Sequence, residues 1–484
     1  MNAPVRRLSF LVAGLFAALL VSTTLIQYVF AADLNGRPDN RRTLLATYAR
    51  ERGEILVGQT PIAKSVPTDD EFKFQRTYDD ADLFAHVTGF YSFYGAVGGL
   101  EQSENELLSG SSDKLFYRRI SDLFTGRRPQ GATVETTLDA AVQKAASDGI
   151  GDARGAAVAL DPKTGAILAL VSHPSFDPNT LAGHDLGKVD ANYQSLLKAD
   201  GRPLVDRAIA GDLYPPGSVF KVVTAAAALT SGKYTADSEL PGGASLDLPL
   251  TDTDLPNHGN VPCSPSGRIT LKQALVVSCN PAFGEAGMEI GADALREQAA
   301  KFGFGDALTV PMRVTPSSVP AEMNEPQLAQ ASIGQYDVRV TPMQMAMVAA
   351  GIANKGVVMK PYLVQSVIGS DLSVIESADP TELSEAVTPE VAATLTDMMI
   401  GVVQEGSGTR AQIQGVSVAG KTGTAEHGTG RRAHAWFISF APADDPKIAV
   451  AVVVEDGGTA NSETGGGAVA APIAKAMMEA RLSE

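Results

Sequence analysis

The chain has 484 residues and a formal net charge of −16, with 44% of its residues hydrophobic and 19% charged. That length allows two or three domains, and the composition supports a packed core over most of it rather than wholesale disorder. The acidity excludes nucleic acid as the main partner, because neutralising phosphates takes clustered Lys and Arg, and it reads instead as a solubility feature.

The first predicted element is an apolar run. Leu8 to Ala32 carries no charged side chain over 25 residues (32 − 8 + 1), more than the ~20 a bilayer-spanning helix needs. Arg6 and Arg7 precede it and suit a cytoplasmic N-terminus, although Arg37, Arg41 and Arg42 follow it. Long domains translocate largely regardless of such charges. A cleavable signal peptide is the alternative, with Val29-Phe30-Ala31 as its processing site, but a signal peptide's apolar region is only ~7–15 residues long. The expectation is a cytoplasmic tail at 1–7, an uncleaved transmembrane signal anchor at 8–32, and the rest of the chain outside the membrane.

Residues 33–150 are polar and mixed, with no periodicity that fixes a fold. Near their end, Thr137-Leu138-Asp139 followed by Ala140 to Ala146 reads as a strand end, an Asp cap and a helix. From residue 155 the pattern sharpens. Ala156–Leu160 and Ala166–Val171 are apolar strands flanking Asp161-Pro162-Lys163-Thr164-Gly165, a hairpin turn. Ala435–Ala441 and Ile448–Val454 are two further strands, and Ala468–Leu482 reads as a helix. Strands at both ends with Ala-rich helical sequence between predict one antiparallel sheet assembled from both ends of the domain.

Three short motifs carry chemistry. In Pro215-Pro216-Gly217-Ser218-Val219-Phe220-Lys221, the apolar run from Val222 to Leu229 follows directly, so Ser218 opens a buried helix, where free N–H groups favour an anion. Lys221, three residues on, shares its face, and burial lowers a lysine's pKa toward a neutral base. Ser278-Cys279-Asn280 follows a helix opened by a Thr270–Gln273 capping box, and Asn280-Pro281 is expected to end that helix. Lys421-Thr422-Gly423-Thr424 follows Val416 to Gly420 as a strand edge. It offers a cation, hydroxyls for a carboxylate, and an open backbone along which a peptide can lie antiparallel.

Each motif alone is weak. Ser111-Ser112-Asp113-Lys114, Ser103-Glu104-Asn105 and Lys163-Thr164-Gly165 match the same patterns, but in the wrong order or in turn-like surroundings. Ser218, Ser278 and Lys421 stand in order, 60 and 143 residues apart (278 − 218 and 421 − 278). That set is the one used by β-lactamases and penicillin-binding proteins. The six histidines form no HExxH pair and the two cysteines no CxxC pair, so the motifs call for no metal or cofactor.

The chain resembles a class B penicillin-binding protein, most closely the short penicillin-binding protein A group of actinobacteria. The resemblance rests on those motifs and on Arg52-Gly53-Glu54-Ile55, Gly98-Gly99-Leu100-Glu101, Leu160 to Gly165, His173 to Asn179, Val340 to Gln344, and His434-Ala435-Trp436-Phe437. Val219 stands where many relatives have Thr, and Tyr336 where they often have Gly. The resemblance implies an α+β fold: a transpeptidase (β-lactamase-like) domain at 151–484, its antiparallel sheet flanked by helices. A small, abridged non-catalytic domain at 33–150 precedes it, behind the transmembrane helix.

The implied activity is cross-linking of peptidoglycan stem peptides ending in D-Ala-D-Ala. Ser218 attacks, Lys221 takes its proton, and the backbone N–H groups of Ser218 and Thr424 form the oxyanion hole. Ser278 relays a proton to the leaving D-Ala and Lys421 tunes the field. Asn280 holds the peptide amide; Thr422, Gly423 and Thr424 hold the carboxylate end. No cofactor is implied. The implied partners are the donor peptide, an amine acceptor, β-lactams, the cytoplasmic membrane, and a membrane glycan polymerase or divisome proteins. A D,D-carboxypeptidase or β-lactam-hydrolysing enzyme, and a non-catalytic β-lactam sensor or divisome scaffold, are the alternatives. Finally, the anchor places Cys263 and Cys279 where disulfides persist. A bridge between them, bracing Ser278 and Asn280, is the expectation; two buried free thiols are the alternative.

Overall fold

The computed structural model describes residues 3–35, 45, 48–115, 130–428, 431–457 and 465–483. Its central sheet has five antiparallel strands in the order Ala419–Ala425, His434–Ala441, Ile448–Val454, Gly155–Leu160, Ile167–His173. Both ends of the domain thus build one sheet, as the apolar strands predict. Alternation along each strand sorts the side chains into two layers. Val158, Trp436, Ile438 and Val453 join the core shared with the helices Lys221–Thr230, Pro342–Ala353 and Pro389–Gln404. Ala157, Phe437 and Val452 face the layer formed by Ala140–Ile150 and Ala471–Leu482.

The helix Ala140–Ile150 is capped by Asp139, whose carboxylate accepts from the N–H groups of Ala141 and Val142. It packs with the C-terminal helix on the central sheet. This helix thus shares its packing layer with the C-terminal end of the chain. The N-terminal region has a six-stranded sheet ordered Val374–Ser377, Val364–Ile368, Thr133–Thr136, Ile55–Val57, Thr60–Pro67, Phe74–Tyr78. Its first two strands come from the range 151–484: Val364–Ile368 pairs onto Thr133–Thr136, and Val374–Ser377 pairs onto Val364–Ile368. The two regions are interleaved. Beside this sheet, Glu101 is fully buried and takes Nε donors from Arg52 at 2.5 Å and Arg76 at 2.6 Å. The motifs around Arg52 and Glu101 thus form one buried ion cluster.

The N-terminal helical run Ala3–Val29 is exposed throughout, and is long and apolar enough to cross a membrane. Arg37, Arg41 and Arg42 lie outside the described residues.

Candidate active site

The three motifs converge. Gly217–Phe220 is a 3-10 turn that feeds directly into the helix Lys221–Thr230. Gly217 has φ 57°, and a Cβ there would stand 2.7 Å from the carbonyl oxygen of Thr424. Only glycine lets this turn approach the strand so closely. The same closeness places Ser218, half-buried, against the Thr424 end of Ala419–Ala425. That strand pairs with His434–Ala441 on one side, in the register Lys421↔Ile438 and Gly423↔Trp436, and is the last strand of its sheet. The indole N–H of Trp436 donates to the Pro215 carbonyl at 3.1 Å, tying the strand to the start of the turn.

Ser278 lies between helices. The helix capped by Thr270 ends at Val276, and Asn280 with Pro281 opens the next one, Asn280–Ile290. Asn280-Pro281 was expected to end a helix; it begins one instead, with proline in the first turn where its missing N–H costs nothing. The junction holds Ser278 at φ 62°, a left-handed conformation rare for a residue with a Cβ. Cys279, beside it, is bridged to Cys263, with Cα atoms 5.6 Å apart.

Two buried lysines meet at Ser278. Lys421 Nζ donates to Ser278 Oγ at 2.9 Å and to the Thr422 carbonyl at 3.0 Å. Lys221 Nζ lies 2.7 Å from the Ser278 carbonyl, 2.6 Å from Asn280 Oδ1 and 3.3 Å from Ser278 Oγ. Both lysines are fully buried. Burial, and then the charge of Lys421, holds Lys221 well below the usual lysine range, while burial lowers Lys421 to about 7. A neutral amine has two N–H donors and one lone pair. The two carbonyl-type oxygens use both donors of Lys221, which leaves its lone pair for a hydroxyl. Ser278 Oγ accepts from Lys421, and the lone pair of Lys221 is left to take a hydroxyl proton.

Asn280 is held on both atoms: Oδ1 accepts from Lys221, and Nδ2 donates to the Pro256 carbonyl at 2.9 Å, leaving one N–H of the amide for a ligand. Thr422 Oγ1 lies 2.5 Å from Ser407 Oγ. Sequence reasoning missed Ser407; the turn-like run Glu405-Gly406-Ser407-Gly408 was its signal. It also missed Gly334 (φ 76°), whose carbonyl accepts from the Gly217 N–H at 2.9 Å. Tyr336, where relatives often have glycine, has φ 57°, a conformation that glycine adopts freely.

The decoy motifs lie elsewhere. Lys114 pairs on the surface with Glu376, Ser103 Oγ donates to the Gly99 carbonyl, and Lys163 reaches Asp445 at 2.6 Å. The structure also gathers His427, His434 and Asp456, with ligand atoms within 4.8 Å of one another, a grouping not visible in the sequence. The two imidazoles stack at 3.6 Å and 9°. Their lone pairs lie in nearly parallel planes and do not converge on one point, so the trio reads as a stacked pair beside a carboxylate.

The chain is similar to known proteins over its whole length. Residues 155–479 match the penicillin-binding protein transpeptidase domain, and residues 52–134 match the penicillin-binding protein A dimerisation domain. The chain is 46% identical to the peptidoglycan D,D-transpeptidase PbpA of Mycolicibacterium smegmatis, covering all of both chains. It is 45% identical to PbpA of Mycobacterium tuberculosis, over 100% of this chain and 99% of that one. Penicillin-binding protein A from M. tuberculosis, solved as its ceftriaxone acyl-enzyme, superposes with a TM-score of 0.87 at 44% identity, covering 90% of this chain and 100% of that one.

Proposed function

This chain belongs to the penicillin-binding protein transpeptidase family and is a serine-type peptidoglycan D,D-transpeptidase; on that premise we propose how its residues divide the work. Ser218 Oγ attacks the carbonyl of the penultimate D-Ala, and its proton passes to the neutral amine of Lys221. The oxyanion is met by the backbone N–H groups of Ser218 and Thr424, where one donor is typically worth about 3–4 kcal/mol of barrier. As the amide C–N bond breaks, the departing D-Ala nitrogen takes a proton from the Ser278 hydroxyl. Ser278 is reprotonated through the lysines on either side of it. The acyl-enzyme ester is then attacked by the amine of a second stem peptide; Lys221 takes the amine's proton and delivers it to Ser218 Oγ as the ester C–O bond breaks, so the amide cross-link forms and the Ser218 hydroxyl is regenerated.

Thr422 and Thr424 bind the donor's terminal carboxylate with Lys421 behind them, and the remaining Asn280 N–H holds the peptide. The observation that carries this reading is the Ser278 hydroxyl standing between two buried lysines, 2.9 Å from one and 3.3 Å from the other. The N-terminal helix anchors the chain with residues beyond it outside the cytoplasm. A membrane glycan polymerase or division proteins are the partners this placement fits. The test is product analysis with a stem-peptide donor and an amine acceptor. Cross-linked dipeptide with stoichiometric D-Ala release, lost in Ser218→Ala, is expected; D-Ala release with free acid as the main product would point to hydrolysis instead.

A further inference from the structure

The chain between the Lys221 helix and the Ser278 junction contains none of the three motifs, yet part of it grips Asn280. Ser245–Leu246 and Leu255–Pro256 pair antiparallel, with Leu246 opposite Leu255. This two-stranded ribbon seats on the helix Asn280–Ile290 at Gly284, where a Cβ would stand 2.6 Å from Leu255 Cδ2 and 3.1 Å from Leu246 Cδ2. Asn257 follows the ribbon directly and is only 9% exposed. Its backbone N–H donates to the Ala244 carbonyl at 2.7 Å, and its Nδ2 donates to the Val261 carbonyl at 2.9 Å. Held at both points, it presents Oδ1 to the Asn280 N–H at 3.1 Å.

That N–H belongs to the first residue of a helix, so the helix itself offers it no acceptor. Cys279, the residue before, makes no side-chain cap bond. Asn257 therefore caps this helix from a separate segment. Pro256 holds the other half of the same residue, its carbonyl accepting from Asn280 Nδ2 at 2.9 Å. A carbonyl can only accept, so it selects the nitrogen of the Asn280 amide and turns Oδ1 toward Lys221, 2.6 Å away. An amide is planar, so fixing these two atoms also fixes the direction of its remaining N–H. Two adjacent residues outside the motifs thus hold Asn280 by backbone and by side chain, while the Cys263–Cys279 bridge ties the same segment to its neighbour.

We propose that Asn257 is a positioning residue for the transpeptidase reaction, aiming the Asn280 amide at the substrate's peptide bond without touching a reacting atom. The proposal rests on the reading that the free Asn280 N–H holds that peptide. The test uses the full chain in detergent and compares acylation rates for benzylpenicillin, whose side chain carries an amide, and a carbapenem, whose hydroxyethyl side chain carries none. Asn257→Ala should slow benzylpenicillin about fivefold to tenfold, the net worth of one hydrogen bond, and the carbapenem less than about twofold. Asn257→Asp keeps the acceptor for the Asn280 N–H and should recover most of the ratio between the two rates. Because Asn257 acts through Asn280, adding Asn257→Ala to Asn280→Ala should leave that ratio where Asn280→Ala alone puts it. Asn257→Ser, too short to reach both of its side-chain partners, must lower the ratio likewise and serves where Asn257→Ala does not fold. Equal slowing of both antibiotics would mark general loosening and overturn the proposal, as would a further fall of the ratio in the double variant. A ratio altered by Asn280→Ala but not by Asn257→Ala would overturn the proposal alone. A ratio unmoved by Asn280→Ala itself would overturn the reading of Asn280 beneath it.

Discussion

The Ser278 hydroxyl and its two lysines set the pH behaviour at the scale of single residues. Burial opposes the charge of Lys221 and the Lys421 cation adds repulsion, which together push its pKa well below the usual lysine range; Lys421 is lowered to about 7. Lys421 is thus charged below about pH 7, where it attracts a substrate carboxylate, and loses that attraction as pH rises past it. Acylation by a carboxylate-bearing β-lactam should fall on the alkaline side with an apparent pKa near 7, and a carboxylate-free thioester should lack that limb. Lys421→Ala should weaken the carboxylated substrate about tenfold or more, the worth of a hydrogen bond to a charged group, whereas Lys221→Ala should stop acylation by both. Identical pH profiles for the two substrates would contradict this division. Gly217→Ala is a second test, since it forces a left-handed alanine, costing roughly 1–2 kcal/mol, and a Cβ 2.7 Å from the Thr424 oxygen. A lowered Tm together with slower acylation is expected. The proposed nucleophile was legible because an apolar run follows Ser218, whereas Ser111 lies in a polar stretch. The hydrogen bonds of Lys221 to Ser278 and Asn280 were not, because they join residues almost 60 positions apart through the fold.

At the scale of elements, the loop between Cys263 and Cys279 is closed by the disulfide, with a sequence separation of 16. Closing a loop of that size is worth about 3 kcal/mol in the chain-entropy model. Denaturant unfolding with and without reductant should differ by about that amount. Because Cys279 sits between Ser278 and Asn280, the reduced protein should also acylate more slowly. A bridge whose reduction changes stability but not acylation would remove its catalytic part. The strands of the central sheet were readable because they are short apolar runs flanked by turn residues. The break between Val276 and Asn280 was not: the left-handed Ser278 that makes it has no signature in residue type, and the proline after Asn280 suits a helix start as well as a helix end.

At the scale of the molecule, the N-terminal sheet is completed by Val364–Ile368 and Val374–Ser377. This pairing was illegible because the strands are short and Val364–Ile368 finds Thr133–Thr136 more than 200 residues away. It has a consequence for folding. Glu101→Ala strips the carboxylate from two buried arginines, and breaking such a cluster costs about 3–5 kcal/mol. Since that sheet takes strands from the transpeptidase range, calorimetry should show the main transition itself shifted down; an unchanged main transition with a separate early one would show the regions to be independent. The anchor is tested by deleting residues 1–35, which should move the chain from the membrane to the soluble fraction. The central claim is that Ser218, brought to the Thr424 edge at the start of the Lys221 helix, is the acylated nucleophile. Benzylpenicillin labelling followed by mass mapping of the modified peptide tests it most directly. The account predicts one adduct per chain, on Ser218, and none in Ser218→Ala; an adduct on Ser111 or Ser278, or wild-type labelling of the variant, would contradict it.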